Sequence, residues 1–276
     1  NIQREVLQVK KILYVSILLV IITAVSASAD IFATLSRSND DKAPYNEKLR
    51  EALVAVVFDK DFSGLTGVKL YDSLTLMQMA LERGDVDIIA SPEFVGEYIL
   101  RSNKSYKLRG FTIAEKPFAF AFGFLEEKAE LRDRFSRAVE AMEREGVIGI
   151  LARDFITGPS AANPPAVSFK KFDGAETLNV ALTGDQPPLD YVAADGTPSG
   201  FNTAMLAEIG KRLHVNINPI IVETGARAVA LKSGRADVVF WFQLFEGYDK
   251  QPDVPEGIIT STPYYGWNKS IFFGKK

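Results

Sequence analysis

The chain has 276 residues, of which 47% are hydrophobic and 24% are charged, and its formal net charge is −3. This is an ordinary globular composition, and the length suffices for two modest domains or one large two-lobed domain. An acidic balance without a basic cluster interleaved with aromatic residues argues against nucleic-acid binding. The sequence contains no cysteine, which excludes disulfides, thiol catalysis, cysteine metal sites and a lipid-bearing cysteine.

The first 29 residues read as a secretory signal peptide. Lys10 and Lys11 precede an apolar run at 12–25, and Ala-Ser-Ala follows at 27–29, which is the order of a positive region, a hydrophobic region and a cleavage site. We therefore expect export to the periplasm as a protein without a lipid anchor. An uncleaved membrane anchor is the alternative, because the apolar run is only slightly short of a membrane span. Val-Lys-Lys at 9–11 looks like the usual start of a signal peptide, which suggests that residues 1–8 are not translated.

Helical and strand patterns alternate along residues 30–156. The predicted strands are 30–35, 86–90 and 117–124, and the predicted helices are 45–58, 74–81, 94–100, 129–144 and 147–155. A stretch rich in Pro, Ala and Gly at 157–166 predicts a linker, which extends over 157–177. After it, the predicted strands are 178–182, 215–222, 236–242, 257–260 and 270–273, and the predicted helices are 201–213 and 226–233. This alternation predicts an α/β fold with a largely parallel sheet covered on both faces.

One nine-residue pattern occurs twice. Residues 81–89 and 231–239 share the order Leu-x-x-Gly-x-x-Asp followed by two apolar residues. Glycine just past a helix end tolerates the left-handed backbone that closes the helix, and the aspartate then begins a buried strand. The repeat predicts two lobes built on the same helix-to-strand unit, although chance similarity of two such turns is an alternative.

Three stretches carry a resemblance to a known family: 182–213, with Pro-Pro-Leu-Asp-Tyr at 187–191, then 231–239, and Ser-Thr-Pro-Tyr-Tyr at 261–265. They resemble the type II extracytoplasmic solute-binding proteins of family 3, the polar-amino-acid receptors that feed ABC importers. The resemblance implies a periplasmic-binding-protein-like fold of two α/β lobes joined by a hinge, together with a small-molecule solute and a membrane ABC permease as partners. We expect a monomer that needs no cofactor or metal.

The order of the lobes departs from the family. Residues 30–116 resemble lobe 2, residues 117–156 resemble the return strand and the closing helices that pack on lobe 1, and residues 178–276 resemble lobe 1. Because lobe 1 normally comes first, this order implies a circular permutation through the linker, which is tolerated where chain ends lie close together at the surface. A fragment of a tandem array is the alternative. The crossings between lobes are expected at 112–118 and 272–276.

Ligands of two-lobed α/β receptors bind between the lobes, at the carboxyl ends of strands. The candidate ligand-binding residues are Thr183, Asp185, Gln186, Tyr191, Trp241, Phe242, Tyr264 and Trp267 in lobe 1, and Arg37, Ser38, Ser91 and Glu93 in lobe 2. Alternation along a strand suggests that one of Trp241 and Phe242 faces the ligand, and likewise one of two consecutive tyrosines. Arg37 could hold a carboxylate through a bidentate contact, or be an ordinary surface arginine.

Two departures from the family bear on the ligand. Family members carry an arginine that clamps the α-carboxylate between the repeated strand and the Pro-Tyr-Tyr element, whereas residues 243–257 contain only Lys250 as a positive residue. Ser-Pro-Glu at 91–93 replaces the aspartate that grips an α-amino group, with Glu93 as a possible substitute. A free amino acid is therefore one option beside a more apolar, aromatic or cationic solute.

Two other function classes stay open. A few proteins of this fold are dehydratases that use a cleft carboxylate as a general acid or base, and Glu93 or Asp185 could serve in that role. The chain nevertheless offers no nucleophile–base pair or phosphate loop, and we do not expect an enzyme. His214 ends a predicted helix, where a cation is favoured, and is expected to be structural. A sensory input domain of a membrane kinase is the third class.

Overall fold

The structure is a computed structural model that describes residues 31–35, 67–158, 161, 164–247 and 249–276, with only the backbone described at 35, 115 and 116. The predicted signal peptide at 1–29, the predicted helix at 45–58, and Arg37 and Ser38 lie outside the described residues. No helix within the described ranges is long and apolar enough to cross a membrane.

The described residues form the predicted α/β fold. The strands are β1 Ile31–Leu35, β2 Gly67–Tyr71, β3 Ile88–Pro92, β4 Tyr106–Leu125, β5 Thr177–Leu182, β6 Asp185–Gln186, β7 Asp190–Val192, β8 Pro198–Ser199, β9 Asn216–Ile221, β10 Val238–Phe245, β11 Ile258–Thr260 and β12 Tyr265–Lys275. The helices are α1 Leu74–Arg83, α2 Glu93–Ser102, α3 Ala129–Arg144, α4 Val147–Ala152, α5 Phe201–Leu213 and α6 Arg227–Lys232, and a π-helical turn, Arg153–Thr157, follows α4.

Nine of the described strands form one sheet, in the order β2-β1-β3-β12-β4-β10-β5-β9, with β11 also paired to β4. The pairs at both ends of the sheet are parallel, whereas β12 and β4 pair antiparallel with each other and with their neighbours β3 and β10. The expectation of a largely parallel sheet is therefore wrong in the middle of the sheet. The reason is that two long strands return through its centre.

These two long strands belong to both ends of the sheet. Residues 269–275 of β12 pair with residues 106–113 of β4, and residues 265–267 pair with residues 118–120. We call β2, β1 and β3, with the paired segments 106–113 and 269–275, the first half of the sheet. We call β10, β5, β9 and β11, with the remaining parts of the two long strands, the second half. The two halves are thus connected by paired strands.

The register between β4 and β12 shifts between Trp267 and Lys269, opposite the interval from Ile113 to Phe118. The first crossing therefore coincides with the expected 112–118. The second crossing was expected at 272–276, and this is wrong. Phe272 pairs with Ala90 inside the first half, so β12 has already crossed several residues earlier.

Helix α3 covers one face of the second half. Phe135 is fully buried and packs edge-on against Phe122 and Phe124 of β4, with ring centroids 5.3 Å and 5.2 Å away. The predicted helical spacing is confirmed, since Leu131, Ala138, Val139 and Met142 are also buried. Burying a large apolar side chain contributes about 1.5–3 kcal/mol relative to leaving it exposed.

The repeated nine-residue pattern has the same role in both halves. Gly84 and Gly234 have φ angles of 83° and 70°, in the left-handed region that closes a helix. Asp87 donates its amide to the carbonyl of Ile31, and its carboxylate accepts from the amide of Ile31, each at 2.8 Å. Asp237 makes the same two bonds to Asn179, at 2.8 Å and 2.9 Å. Each aspartate therefore joins its helix-to-strand turn to a neighbouring strand.

The expected linker, 157–177, lies within the second half and packs on it. The Asn216 side chain accepts from the amide of Phe172 at 2.9 Å and donates to its carbonyl at 3.0 Å. The ring of Phe172 lies 4.1 Å from the ring of His214, which closes α5 with a φ of 54°. Residues near the end of the expected linker, 157–177, are thus held by side-chain contacts. The linker and lobe boundaries stay predictions.

We expect Gly200→Ala to lower the free energy of unfolding by about 2 kcal/mol or more. Gly200 precedes α5 with a φ of +105°, and a Cβ there would lie 2.4 Å from the carbonyl oxygen of Leu189. Gly174→Ala is the control, because its φ is +68° and no atom lies within 4 Å of an added Cβ; it should cost about 1 kcal/mol. Urea unfolding measures both, and equal losses would contradict the steric argument.

Candidate functional site

The two halves of the sheet meet where the carboxyl ends of their parallel strands face each other. The amide of Thr75, just after β2, donates to the carboxylate of Asp185, just after β5, at 3.1 Å. The amide of Thr224, after β9, donates to the carbonyl of Asp72 at 3.3 Å. The rings of Tyr98 and Tyr191 lie 6.3 Å apart. We call this region the junction.

The first half contributes the start of α1 to the junction. Ser73 caps this helix, because its hydroxyl accepts from the amide of Leu76 at 3.2 Å. Helix amino termini carry unpaired amides and a partial positive charge, which favour a nearby carboxylate. Asp185 supplies that carboxylate from the other half. Burial raises the pKa of Asp185 above its ordinary value, and hydrogen bonds from Thr75, Leu74 and Ser73 oppose the rise.

A buried carboxylate supports the turn that carries Asp185. Asp190 is fully buried, and its Oδ1 accepts from the amides of Thr183 and Gly184 at 2.9 Å and 2.7 Å, and from the Thr183 hydroxyl. Its Oδ2 accepts from Asn202 at 3.3 Å. Burial raises the pKa of Asp190 to about 6, against the effect of these hydrogen bonds. Asp190 thereby fixes the loop between β5 and β7.

Thr183 and Gln186 belong to the same buried network. Gln186 is 4% exposed, and its amide donates to the hydroxyls of Thr183 and Thr224, at 3.3 Å and 3.4 Å. The structure therefore brings Thr183, Asp185 and Gln186 together, as their sequence spacing predicts. In this conformation Thr183 and Gln186 support the junction from inside the second half, and their role as ligand contacts stays a prediction.

A buried ion pair lies behind the junction. Arg227, at the start of α6, donates to Asp253 at 2.8 Å, and the two side chains are 2% and 0% exposed. Its guanidinium also donates to the carbonyls of Thr224 and Trp241, at 2.7 Å and 2.6 Å. Asp253 accepts from the amide of Gln243 at 2.7 Å. The pair thus joins α6, β10 and the loop before β11.

Sequence reasoning missed this pair because it sought a positive residue only after β10. The signal that was present is Arg227 itself, an arginine at the start of a predicted helix just after a predicted strand. Such a position lies at the carboxyl edge of an α/β sheet. Its acidic partner, 26 residues further along the chain, had no local signal.

Trp241 and Phe242 are both 1% exposed. The alternation argument, which made one of them face the ligand, does not describe this conformation, because the register of their strand shifts between Val239 and Phe242 and both rings lie beside one guanidinium. Their role as ligand contacts stays a prediction. The rings of Trp241 and Phe242 lie 4.4 Å and 4.5 Å from the Arg227 guanidinium. In this conformation both therefore surround the buried ion pair. A guanidinium over an aromatic ring is a favourable contact.

The consecutive tyrosines separate as the alternation predicts. Tyr264 is the buried one, and its single hydroxyl hydrogen is shared between the side-chain oxygen of Asn202, at 3.3 Å, and the carbonyl of Phe240, at 3.1 Å. The choice of Tyr264 as the junction-facing tyrosine is therefore not supported by its position. Tyr265 is half-buried between Phe94 of the first half and Phe201 of the second, with ring centroids 5.7 Å and 5.0 Å away.

Trp267 lies at the crossing itself. Its ring is half-buried and lies 4.2 Å from Phe120, 5.6 Å from Phe118 and 5.8 Å from Phe94. Phe94 belongs to α2 of the first half, whereas the two other phenylalanines lie on β4. Trp267 therefore forms part of an aromatic wall that spans both halves.

The two described candidates of lobe 2 differ in exposure. Ser91 is buried, and its hydroxyl donates to the neighbouring carbonyl of Pro92 at 3.2 Å. Glu93 begins α2 and forms an ion pair with Lys269 of β12, with both side chains about one-third exposed. Lys269, which the sequence analysis did not select, also lies 5.0 Å from the ring of Phe111. Glu93 and Lys269 thus place a pair of opposite charges beside the aromatic wall.

The junction therefore offers the ring pair Tyr98–Tyr191 and the carboxylate of Asp185, whereas the aromatic wall and the pair Glu93–Lys269 lie along β12, where it crosses between the halves. Within the ranges that the structure describes, no group of three or more His, Asp or Glu residues could hold a metal ion. Arg37 and Ser38, which were expected opposite Asp185, are outside those ranges.

Part of the chain matches a known protein family. Residues 178–275 match the family model described as bacterial extracellular solute-binding proteins, family 3. This match confirms the resemblance that the sequence motifs predict for that segment. No curated protein matches the chain.

Several solved structures are similar over most of the chain. The periplasmic aliphatic sulphonate binding protein SsuA from Escherichia coli is 11% identical with a TM-score of 0.42, covering 91% of this chain and 66% of its own. The MOPS-bound alkanesulfonate-binding protein from Xanthomonas axonopodis pv. citri is 8% identical with a TM-score of 0.44, covering 92% and 67%. A putative L-cystine ABC transporter from Listeria monocytogenes is 11% identical with a TM-score of 0.40, covering 91% and 83%. The chain spans just under two thirds of the Escherichia coli protein.

Proposed function

We propose that this chain, whose residues 178–275 match the model of the bacterial extracellular solute-binding proteins, family 3, is an extracytoplasmic receptor that captures a small solute at the junction for an ABC importer. The observation that carries the proposal is that the family segment supplies one side of the junction, while the carboxyl ends of β2 and β3 supply the other. This is the place where α/β sheets bind ligands.

Binding would work by bridging the two halves. A solute that contacts both halves favours their closed arrangement by its extra affinity for that arrangement. The aromatic wall at Trp267 and the ring pair Tyr98–Tyr191 supply apolar contacts, and the pair Glu93–Lys269 supplies charges of both signs. These groups suit an amino acid or a related small polar compound with an aromatic or apolar part.

A screen of melting temperatures tests the proposal. The protein is heated with amino acids, small carboxylates, sulphonates and amines, and a solute bound only by the folded form raises the melting temperature. We expect at least one class to do so in a saturable manner, with the affinity then measured by calorimetry. Turnover of the bound compound would instead indicate the dehydratase-like alternative.

We expect Tyr191→Ala to weaken binding of the solute found in that screen by about tenfold. The ring of Tyr191 is half-buried and faces Tyr98 of the other half, and loss of such a contact is worth about 1 kcal/mol or somewhat more. Val192→Ala is the matched control, because the neighbouring side chain points to the opposite face of the strand and is 45% exposed. Equal affinities for the two variants would place the solute elsewhere.

The order of the halves supports a circular permutation as the second element of the proposal. Gly274, near the end of β12, packs so closely on Asp87 that an added Cβ would lie 2.4 Å from its carbonyl oxygen. The same Asp87 bonds both to the amide and to the carbonyl of Ile31, which begins β1. The end of β12 and the start of β1 are therefore neighbours, so a short connection could join them.

Reconnecting the chain tests the permutation. A variant in which residue 276 is joined by a short Gly-Ser linker to residue 30, with new ends opened within 159–165, should fold with a similar melting temperature. Junction contacts would be unchanged because none of the described elements is cut. The control is the closed chain, which has the same linker between residues 276 and 30 but no new ends. If the control folds and the reconnected variant does not, the tandem-fragment alternative is favoured.

A further inference from the structure

The contact between Asp185 and α1 ties the two halves of the sheet together at the place where the solute is proposed to bind. The carboxylate belongs to the second half, and the amide of Thr75 that it accepts from belongs to the first half, 110 residues away in sequence. The contact therefore exists only when the halves are closed on each other.

The geometry makes this carboxylate a specific partner of the helix. Ser73 already caps α1 by accepting from the amide of Leu76, which leaves the amide of Thr75 for an external acceptor. Helix α1 has ten residues and no acidic residue in its first turn, so Asp185 supplies a negative charge that its own sequence does not provide there. A charge-assisted bond at a helix amino terminus is stronger than one between neutral groups.

The second half holds Asp185 in place. Its strand β6 pairs with β7 through the register Asp185↔Tyr191. The first residue of β7, the buried Asp190, accepts from the amides of Thr183 and Gly184, just before Asp185. A neighbouring contact, from the amide of Thr224 to the carbonyl of Asp72 at 3.3 Å, closes the same edge. The carboxylate is therefore presented to α1 by a rigid turn, which reduces the entropy cost of the contact.

We propose that Asp185 is a latch: its carboxylate on the amino terminus of α1 holds the two halves closed when no solute is present. The latch goes beyond the proposed function, because it describes the protein without a solute. A solute that binds between the halves must then release Asp185 or fit beside it. Removing the latch shifts the solute-free protein toward an open arrangement.

The absence of cysteine from the sequence makes the test direct. Glu97→Cys on α2 and Lys232→Cys at the end of α6 place spin labels at exposed positions on opposite halves, and pulsed electron paramagnetic resonance measures the distance between them. Without solute, the parent chain should give one narrow distance distribution. Asp185→Asn should add a longer distance and raise the open-to-closed ratio about fivefold, as expected when a charge-assisted hydrogen bond is replaced by a neutral one.

Two further variants sharpen the result. Thr75→Pro removes the donors of Thr75 while keeping the carboxylate, and proline is tolerated in the first turn of a helix. It should open the halves to a smaller extent than Asp185→Ala, because Leu74 and Ser73 still donate to Asp185. Thr75→Pro combined with Asp185→Ala should open no further than Asp185→Ala alone, because the carboxylate is the acceptor of every hydrogen bond in the contact. Asp249→Asn removes the same charge at an exposed position of the second half and should leave the distance unchanged.

Unchanged distances in Asp185→Asn, or equal opening in Asp249→Asn, would overturn the latch. Should Thr75→Pro fail to fold, Asp185→Asn and Asp185→Ala still decide the question, since both keep α1 intact. The latch and the proposed function fail separately. If Asp185→Asn opens the halves but no solute raises the melting temperature, the receptor function is contradicted and the latch stands. If a solute binds but Asp185→Asn leaves the solute-free distances unchanged, only the latch is contradicted.

Discussion

Arg227→Leu is expected to lower the free energy of unfolding by about 3–5 kcal/mol, because it leaves the fully buried Asp253 without its charge partner. The same change removes the donors to the carbonyls of Thr224 and Trp241. A buried acceptor that loses its donor costs desolvation energy that no water repays. Urea unfolding followed by far-ultraviolet circular dichroism measures the loss.

Two comparisons make this result specific. Arg83→Leu breaks an ion pair of the same length, 2.8 Å, whose side chains are 64% and 46% exposed, and it should change stability by less than about 1 kcal/mol. The double variant Arg227→Met with Asp253→Leu should recover the part of the loss that comes from the unpaired charge, but not the part that comes from the hydrogen bonds to the backbone of Thr224, Trp241 and Gln243. A single-variant loss below about 1 kcal/mol would show that the pair is not buried in solution.

Asp190→Ala is expected to cost about 3–5 kcal/mol, because it leaves the buried amides of Thr183 and Gly184 and the side chain of Asn202 without their acceptor. The matched control is Asp195→Ala. Asp195 accepts from the amide and hydroxyl of Thr197 in the same local pattern, at 3.0 Å and 2.6 Å, but in an exposed turn. Water replaces the lost acceptor there, so the control should cost less than about 1 kcal/mol. Comparable losses would contradict the role of burial.

The same carboxylate gives a pH dependence with a defined sign. Burial raises the pKa of Asp190 from 3.8 to about 6 in the folded state, so the folded state holds a proton that the unfolded state releases between those values. The stability that protonated Asp190 contributes is fully present below pH 4 and is lost as the pH rises through 6. Asp190→Asn does not titrate. The stability of the parent chain relative to Asp190→Asn should therefore rise by about 1 kcal/mol between pH 7 and pH 5, and a fall would contradict the raised pKa.

Local patterns were sufficient for most helices. Helices α3 and α5 begin and end at the residues that their apolar spacing and flanking residues predict. Such patterns are reliable because a helix makes its own hydrogen bonds and buries one stripe of side chains. The repeated aspartate was also readable in advance, since its glycine and its strand are local features, although its bonds to a neighbouring strand were not.

The long strands could not be delimited in the same way. The sequence predicts strands at 117–124 and 270–273, whereas β4 spans Tyr106–Leu125 and β12 spans Tyr265–Lys275. A strand makes its hydrogen bonds with another strand, so its ends depend on how far the partner extends. Each of these strands extends because the other lies beside it across both halves.

In the candidate site, too, local features were predicted and long-range contacts were not. Thr183, Asp185 and Gln186 were identified because they directly follow a buried strand, and the structure places them together. Whether an aromatic side chain on a neighbouring strand is accessible depends on what covers each face of the sheet. Trp241 and Phe242 are buried, and no local sequence signal predicts their covering. The sequence also showed no sign that Arg227 would find Asp253.

The sequence by itself determined the α/β class, the positions of the described helices and the family pattern of residues 178–275, because periodicity, caps and turn residues act over a few neighbouring positions. The tertiary structure alone decided which strands connect the two halves and which charges meet. Asp185 and Thr75 are 110 residues apart, and a hydrogen bond between groups so distant in sequence forms only after the whole sheet has brought their two strand ends together.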